Sequence, residues 1–232
     1  MAALRIETAP SIDAQKPLPP TTCETCNTNN MLKLTARLIE RNPAIKLADY
    51  YERALYNHIL ATVAPDTGGM TYFTPLHGDF RTYITGTFCC TGTGIENTPR
   101  YNEGIYFSQA DSLFINLYIP SELTWHDAGL VLRQEGDVTR AQELKFTVVK
   151  ADGRPLHLNF RVPSWIAKPA VFKINGTAEN LNAKPGTYAT IQRNWKTGDV
   201  ITISLTPSLR IESAKDDTQG LRRSGLALSA HL

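Results

Sequence analysis

Gly104-Ile105-Tyr106-Phe107-Ser108-Gln109-Ala110-Asp111-Ser112-Leu113-Phe114-Ile115-Asn116-Leu117-Tyr118-Ile119 is the stretch where the chain changes character. Ile105 to Phe107 and Leu113 to Ile119 read as strands, dense in β-branched and aromatic residues. Further on, Leu144 to Val149, Leu156 to Val162, Val171 to Ile174, Tyr188 to Ile191 and Val200 to Leu205 read the same way, several of them alternating with period two. Asp152-Gly153, Asn175-Gly176 and Thr197-Gly198-Asp199 punctuate them as turns. Short strands at this spacing predict a β-sandwich over residues 104–215.

Upstream the period is helical. In Asn30 to Ile39, Met31, Leu34 and Leu38 fall on one stripe, with Ile39 one face over. Asn42-Pro43 closes that helix, because the residue before proline disfavours it. A second helix fits Leu47 to Val63, with Leu47, Tyr50, Tyr51, Ala54, Leu55 and Ile59 turned inward. Two helices and a short turn make a helical hairpin, and helices followed by strands predict two domains. A hairpin alone cannot bury its apolar faces. The helices are therefore expected either to pack on the sandwich or to belong to a larger helical domain. Pro65 and Gly68-Gly69 break the pattern, and Met70 to Arg100, rich in Gly, Thr and Pro, reads as loop.

Composition narrows the function classes. The 232 residues are 42% hydrophobic and 20% charged with a net charge of +2, ordinary for a globular protein. Lys and Arg are spread along the chain, so neither nucleic acid nor an anionic membrane surface is favoured as a partner. No stretch approaches the ~18 apolar residues of a membrane span. Residues 1–21, rich in Pro and Ala, read as an irregular leader without the basic start and apolar run of a secretory signal. Localisation stays open between cytoplasm and periplasm. Residues 216–232 read as an irregular tail.

The four cysteines, Cys23, Cys26, Cys89 and Cys90, fall in two tight pairs, unlike a framework of disulfides stapling distant loops. Glu24, Cys26, Cys89 and Cys90 would make a complete tetrahedral zinc shell of three thiolates and a carboxylate. Glu24 and Cys26 can share one side of an ion if their segment is extended or looped. Adjacent Cys89 and Cys90 would need a sharp backbone turn, for which Gly92 and Gly94 supply freedom. A purely structural zinc site, or no zinc, remains open on spacing alone. Redox chemistry at Cys23-Glu24-Thr25-Cys26 lacks the βαβ setting such motifs occupy.

Glu24-Thr25-Cys26-Asn27-Thr28-Asn29-Asn30-Met31-Leu32-Lys33-Leu34-Thr35 closely resembles the ETCNxxNMLKLT stretch of the β-L-arabinofuranosidase-like glycoside hydrolase families. Gly68 to Leu76, Phe88 to Asn97, Arg161 to Trp165 and Arg193 to Asp199 resemble four further blocks, in family order, over roughly residues 22 to 215. The resemblance implies the last part of an (α/α)6 barrel over residues 22–103, followed by the β-sandwich. It implies retaining exo-hydrolysis of β-linked L-arabinofuranosides, with Zn2+ as cofactor and a plant-cell-wall sugar as partner. Carried over by motif, Cys89 is the nucleophile, Glu24, Cys26 and Cys90 complete the zinc shell around it, and Tyr72 contacts the sugar.

The sequence departs from the family in two respects that matter for catalysis. The family's general acid/base is a glutamate a short way upstream of Glu24. Glu7 is the carboxylate at about that distance, but its neighbours Ile6 and Thr8 do not match, so the role is not carried over. The histidines of earlier barrel helices are missing too, and the polypeptide by itself is expected to hydrolyse slowly or not at all. A non-catalytic remnant and a sugar-binding sandwich module with a structural zinc clip are the alternatives. Glu96 reads as a brace for its loop, His58 as packed or at the surface, and His77 as a loop residue that can face the site. Trp165 and Trp195 read as sandwich core rather than sugar platforms.

Overall fold

The computed structural model describes residues 23–75, 81–136, 138 and 143–208. The expectations placed on the leader, the tail, Glu7 and His77 lie outside them. The protein is mostly sheet with few helices: among the described residues there are twelve strands and three α-helices. These residues fall into two compact units, one of 23–37 and 50–103, the other of 38–49 and 104–208.

The first unit opens with strand β1 (Cys23–Glu24), which runs straight into helix α1 (Thr25–Arg41). Helix α2 (Ile45–Asn57) and a 3-10 turn (Ile59–Thr62) follow, then strand β2 (Phe73–Thr74) and helix α3 (Cys89–Asn97), the end of α1 and the start of α2 being counted with the second unit. Two expectations need correction here. The inward face of α1 is Leu32, Thr35 and Ile39, while Leu34 and Leu38 of the sequence-read stripe are 50% and 42% exposed. Met31 of the same stripe is half-buried. The segment Met70 to Arg100 is also not loop throughout, since α3 occupies its last third. Gly92, Gly94, Thr91 and Thr93 are weak helix formers, so local propensity hides a helix that tertiary contacts hold.

The second unit carries two sheets. Strands β3 (Tyr106–Gln109), β4 (Ser112–Ile115), β8 (Pro155–Val162) and β11 (Thr187–Asn194) form a four-stranded sheet in the order β11-β8-β4-β3. Strands β5 (Ser121–Trp125), β6 (Leu130–Glu135), β7 (Glu143–Lys150), β9 (Val171–Ile174), β10 (Thr177–Glu179) and β12 (Val200–Ser204) form a six-stranded sheet in the order β10-β9-β12-β7-β6-β5. Neighbours are antiparallel except β4 and β8, which run parallel with Ser112 opposite His157. Asn175 and Gly176 join β9 to β10 at φ of 50° and 83°, as a tight hairpin turn demands.

Period two explains the burial. Leu144, Phe146 and Val148 of β7 face inward, as do Ile201 and Ile203 of β12. One buried cluster draws on both sheets, with Leu158, Phe160 and Ile191 from the smaller and Leu132, Phe146 and Phe172 from the larger. The Phe146 and Phe160 rings meet edge to face at 5.0 Å. Trp165 and Trp195 belong to this cluster, and the Trp195 indole N–H donates to the Leu156 carbonyl. Strands β5, β6 and β10 escape the sequence reading. The β5–β6 link is a 3-10 turn closed by Gly129 at φ 61° rather than an Asx-Gly pair, and β10 is exposed at every residue. The expected strand to Ile119 stops at Ile115. Beyond it the Gln134 side chain, not a neighbouring strand, donates to the carbonyls of Leu117 and Ile119.

A polar network lies inside this unit. Arg161 is fully buried, with Nε donating to the Asn116 carbonyl at 2.6 Å and Nη1 to Asp49 Oδ1 at 2.7 Å. The Tyr118 hydroxyl donates to the Arg161 carbonyl, and the Tyr188 hydroxyl to Asn116 Oδ1. Burial pushes the Tyr188 phenol well above its ordinary range.

Candidate metal and thiolate centre

Every residue of the centre lies in the first unit. Strand β1 pairs antiparallel with β2, placing Glu24 opposite Phe73. The Thr25 backbone N–H donates to the Tyr72 carbonyl at 3.0 Å, and its hydroxyl donates to the Thr71 carbonyl at 2.6 Å. The strand-to-helix junction Glu24-Thr25-Cys26 is thereby pinned against Thr71 and Tyr72. From the other side comes α3, preceded by Phe88 in extended conformation, with Cys89 and Cys90 as its first two residues.

This geometry corrects the expected sharp turn at Cys89-Cys90. Successive residues in a helix point about 100° apart, and at a helix start that suffices to bring the two sulfurs to 3.9 Å. Gly92 and Gly94 are ordinary helical residues, absent from the positive-φ glycines. Gly94 serves another purpose, since a Cβ there would lie 2.2 Å from Met70 Sδ, and Met70 is the residue that precedes Thr71-Tyr72 by one. Gly92 faces open space. Gly92→Ala should therefore stabilise by up to ~1 kcal/mol through helix propensity, while Gly94→Ala should fall short of that gain because the flexible end of Met70 must move aside. Thermal melts check this, and Met70→Ala should relieve the Gly94→Ala shortfall. Equal melting temperatures for the two alanine variants would refute it.

The donor atoms of Glu24, Cys26, Cys89 and Cys90 all lie within 4.8 Å of one another. Cys26 Sγ is 3.3 Å from Cys90 Sγ. Tetrahedral coordination at a Zn–S length of ~2.3 Å separates two sulfurs by ~3.8 Å, so the set fits a metal ion of that size after shifts of up to ~1 Å. All four cysteines are free thiols, and Cys23, though buried beside the cluster in sequence, is not one of its members. Cys90 is fully buried while Cys89 is exposed.

The thiols are not electrostatically alike. Burial pushes Cys26 and Cys90 up; for Cys90 the other two cluster sulfurs add to it, while for Cys26 the Thr93 hydroxyl and Cys90 work against it. Cys89 is held below the ordinary thiol range, first by the Tyr72 hydroxyl 3.5 Å from its sulfur, which can donate to the thiolate. The start of α3 adds unpaired N–H groups that favour a negative sulfur. Tyr72 also leans on aromatic neighbours, 4.6 Å from the Phe73 ring and stacked at 5.7 Å on Phe88.

The remaining candidates take supporting positions. Glu96 pairs with Lys33 of α1 and, at 3.1 Å, with Arg100, tying α3 to its surroundings outside the four-residue cluster. Sequence reasoning missed Thr93, whose hydroxyl reaches Cys26 Sγ at 3.0 Å. The signal was the four-residue step from Cys89 to Thr93, legible only to a reader who takes that segment as helix. His58 is buried, its Nδ1 2.8 Å from the Thr28 hydroxyl behind the start of α1. Burial lowers it to about 4 from 6.5, with the positive Arg81 acting in the same direction. The unfolded chain then binds the extra proton between these values. The stabilising contribution of the neutral ring is complete above pH 6.5 and is lost as pH falls toward 4, by at most ~1.4 kcal/mol per pH unit. His58→Gln should flatten the acid limb of stability over that window, whereas parallel limbs would contradict the assignment.

Comparison with known proteins follows the same lines. A family model described as the β-L-arabinofuranosidase GH127 catalytic domain matches residues 11–103, and one for the GH127 middle domain matches residues 112–206. Among solved structures, a glycoside hydrolase is 28% identical with a TM-score of 0.76, over 89% of this chain and 36% of its own. A GH127 β-L-arabinofuranosidase from Geobacillus stearothermophilus T6 is 24% identical with a TM-score of 0.72, over 89% of this chain and 35% of its own. A further GH127 β-arabinofuranosidase is 24% identical with a TM-score of 0.74, over 90% of this chain and 36% of its own. At 24% identity the likeness speaks for the fold alone. The chain spans about a third of the length of these structures, 35–36%. No curated protein sequence matches it.

Proposed function

This chain belongs to the GH127 β-L-arabinofuranosidase family, of which it carries catalytic-domain and middle-domain sequence, and from that premise we propose that it bears the zinc-thiolate part of a retaining arabinofuranosidase centre. The observation that carries the reading is the gathering of Glu24, Cys26, Cys89 and Cys90 donor atoms within 4.8 Å, with Cys89 the exposed sulfur among them. A nucleophile must be reachable by a sugar, and Cys89 is; a buried Cys90 serves better as a permanent ligand. The two sheets with one shared core support a β-sandwich, and α1 to α3 support the closing part of an (α/α)6 barrel.

Glu24, Cys26, Cys89 and Cys90 would hold the zinc ion, which when bound keeps coordinating sulfurs deprotonated at neutral pH. The Cys89 thiolate attacks the anomeric carbon of an L-arabinofuranoside, a carbon–sulfur bond forms, and the bond to the leaving oxygen breaks with its electron pair. That oxygen takes a proton from a general acid, and water later displaces the sulfur with overall retention, the thiol counterpart of the two-step carboxylate route. The Tyr72 hydroxyl, 3.5 Å from the Cys89 sulfur and the acceptor of its thiol proton in the metal-free protein, orients the sulfur toward the sugar.

An activated substrate tests this without relying on the acid. The leaving group of 2,4-dinitrophenyl β-L-arabinofuranoside departs unprotonated, so zinc-loaded protein should release one equivalent of dinitrophenolate in a burst. Intact mass should rise by one pentosyl group, on Cys89 by peptide mapping and missing in Cys89→Ser. A zinc-loaded protein that shows neither burst nor adduct would remove the nucleophile from Cys89.

A further inference from the structure

We propose that Thr93 is a positioning residue for the metal centre, holding Cys26 in its ligating rotamer through a hydroxyl-to-sulfur hydrogen bond of 3.0 Å. The inference rests on the zinc reading above and adds a residue to it. Threonine within a helix ordinarily turns its hydroxyl back to the carbonyl four residues earlier. Thr35 of α1 does this to the Met31 carbonyl at 2.7 Å, and Thr98 at the end of α3 does it to the Gly94 carbonyl at 2.9 Å. Thr93, inside the same α3, instead crosses to a sulfur 67 residues away. A hydroxyl diverted from its local acceptor toward a candidate ligand atom is the arrangement expected of a partner that orients a metal ligand.

The three sulfurs of the cluster have different partners as a result. Cys26 receives the Thr93 hydroxyl, Cys89 has the Tyr72 hydroxyl at 3.5 Å, and Cys90 lies 3.8 Å from the Tyr72 carbonyl, which cannot donate. A donated hydrogen bond draws charge from a thiolate and fixes its lone pairs. Thr93 therefore tempers Cys26 as a donor and keeps it in place as a ligand that stays.

Cobalt(II) substitution reads this directly, through the thiolate-to-cobalt charge-transfer band of the full chain, alongside zinc affinity from competition with a chromophoric chelator. Thr93→Val removes the hydroxyl at nearly constant volume, and Thr93→Ser keeps it. The expected result for Thr93→Val is a charge-transfer band shifted to lower energy and zinc affinity weakened by ~10–100-fold. Thr93→Ser should restore both. Thr93→Ala is the second hydroxyl-free variant and should match Thr93→Val. An unshifted band with affinity within twofold of the parent in a folded Thr93→Val or Thr93→Ala variant overturns the inference while leaving the zinc reading intact. A parent protein that takes up neither cobalt nor zinc overturns both.

Discussion

Cys90→Ser is expected to weaken zinc binding by ~10³-fold or more, while Cys23→Ser leaves it unchanged. Loss of a partner that only orients a ligand costs ~10–100-fold, so loss of a ligand must exceed that. Cys90 has no exposure and sits 3.3 Å and 3.9 Å from the other two cluster sulfurs. A serine hydroxyl there is a poorer zinc donor and, in the buried position, no water replaces the sulfur. Cys23 is equally cysteine and nearly as buried, yet it stands outside the four-residue cluster. The contrast separates a specific site from general thiol affinity. Competition against a chromophoric chelator gives both constants; equal losses in the two variants would mean that the cluster is not the metal site.

Asp49→Ala should cost ~3–5 kcal/mol of stability, the largest single effect expected in the second unit. It strips the carboxylate from an Arg161 guanidinium that is fully buried, and breaking a buried ion pair by removing one partner carries that order of penalty. Replacing both partners at once, Asp49→Leu with Arg161→Met, should cost far less, because neither charge is then left alone. A surface pair calibrates the measurement. Arg133 and Glu122 meet at 2.8 Å but are 50% and 45% exposed, so Glu122→Gln should change stability by less than ~1 kcal/mol. Denaturant titrations with unchanged slopes report these differences. An Asp49→Ala penalty no larger than that of Glu122→Gln would show that the partners Arg161 keeps, the Asn116 carbonyl among them, satisfy it without the carboxylate.

Strands that alternate and end in Asx-Gly or Gly turns were legible, because period two and positive φ are local properties: β7, β8, β9, β11 and β12 follow from them. Strand β10 was not, since three exposed residues carry no pattern. The parallel partnership of β4 with β8 was not either, being a matter of which strands meet rather than of what each is. For the centre, residue type and motif singled out Glu24, Cys26, Cys89 and Cys90, and the structure brings their donor atoms together. The helical state of Cys89–Asn97 stayed hidden, because two glycines and two threonines argue against helix until Met70 is known to pack on Gly94. Thr93 stayed hidden with it.

The parallel pairing of β4 with β8 also sets a clock on the ribosome. Ser112 meets His157, 45 residues later in the chain. At ~5–20 residues per second of synthesis, the β3–β4 hairpin waits ~2–9 s before its neighbour even exists. Throughout that interval Leu113 and Ile115, fully covered in the finished protein, have no sheet to join. A nascent chain stalled between these two strands is accordingly the form that should be captured most strongly by chaperones that bind exposed apolar segments.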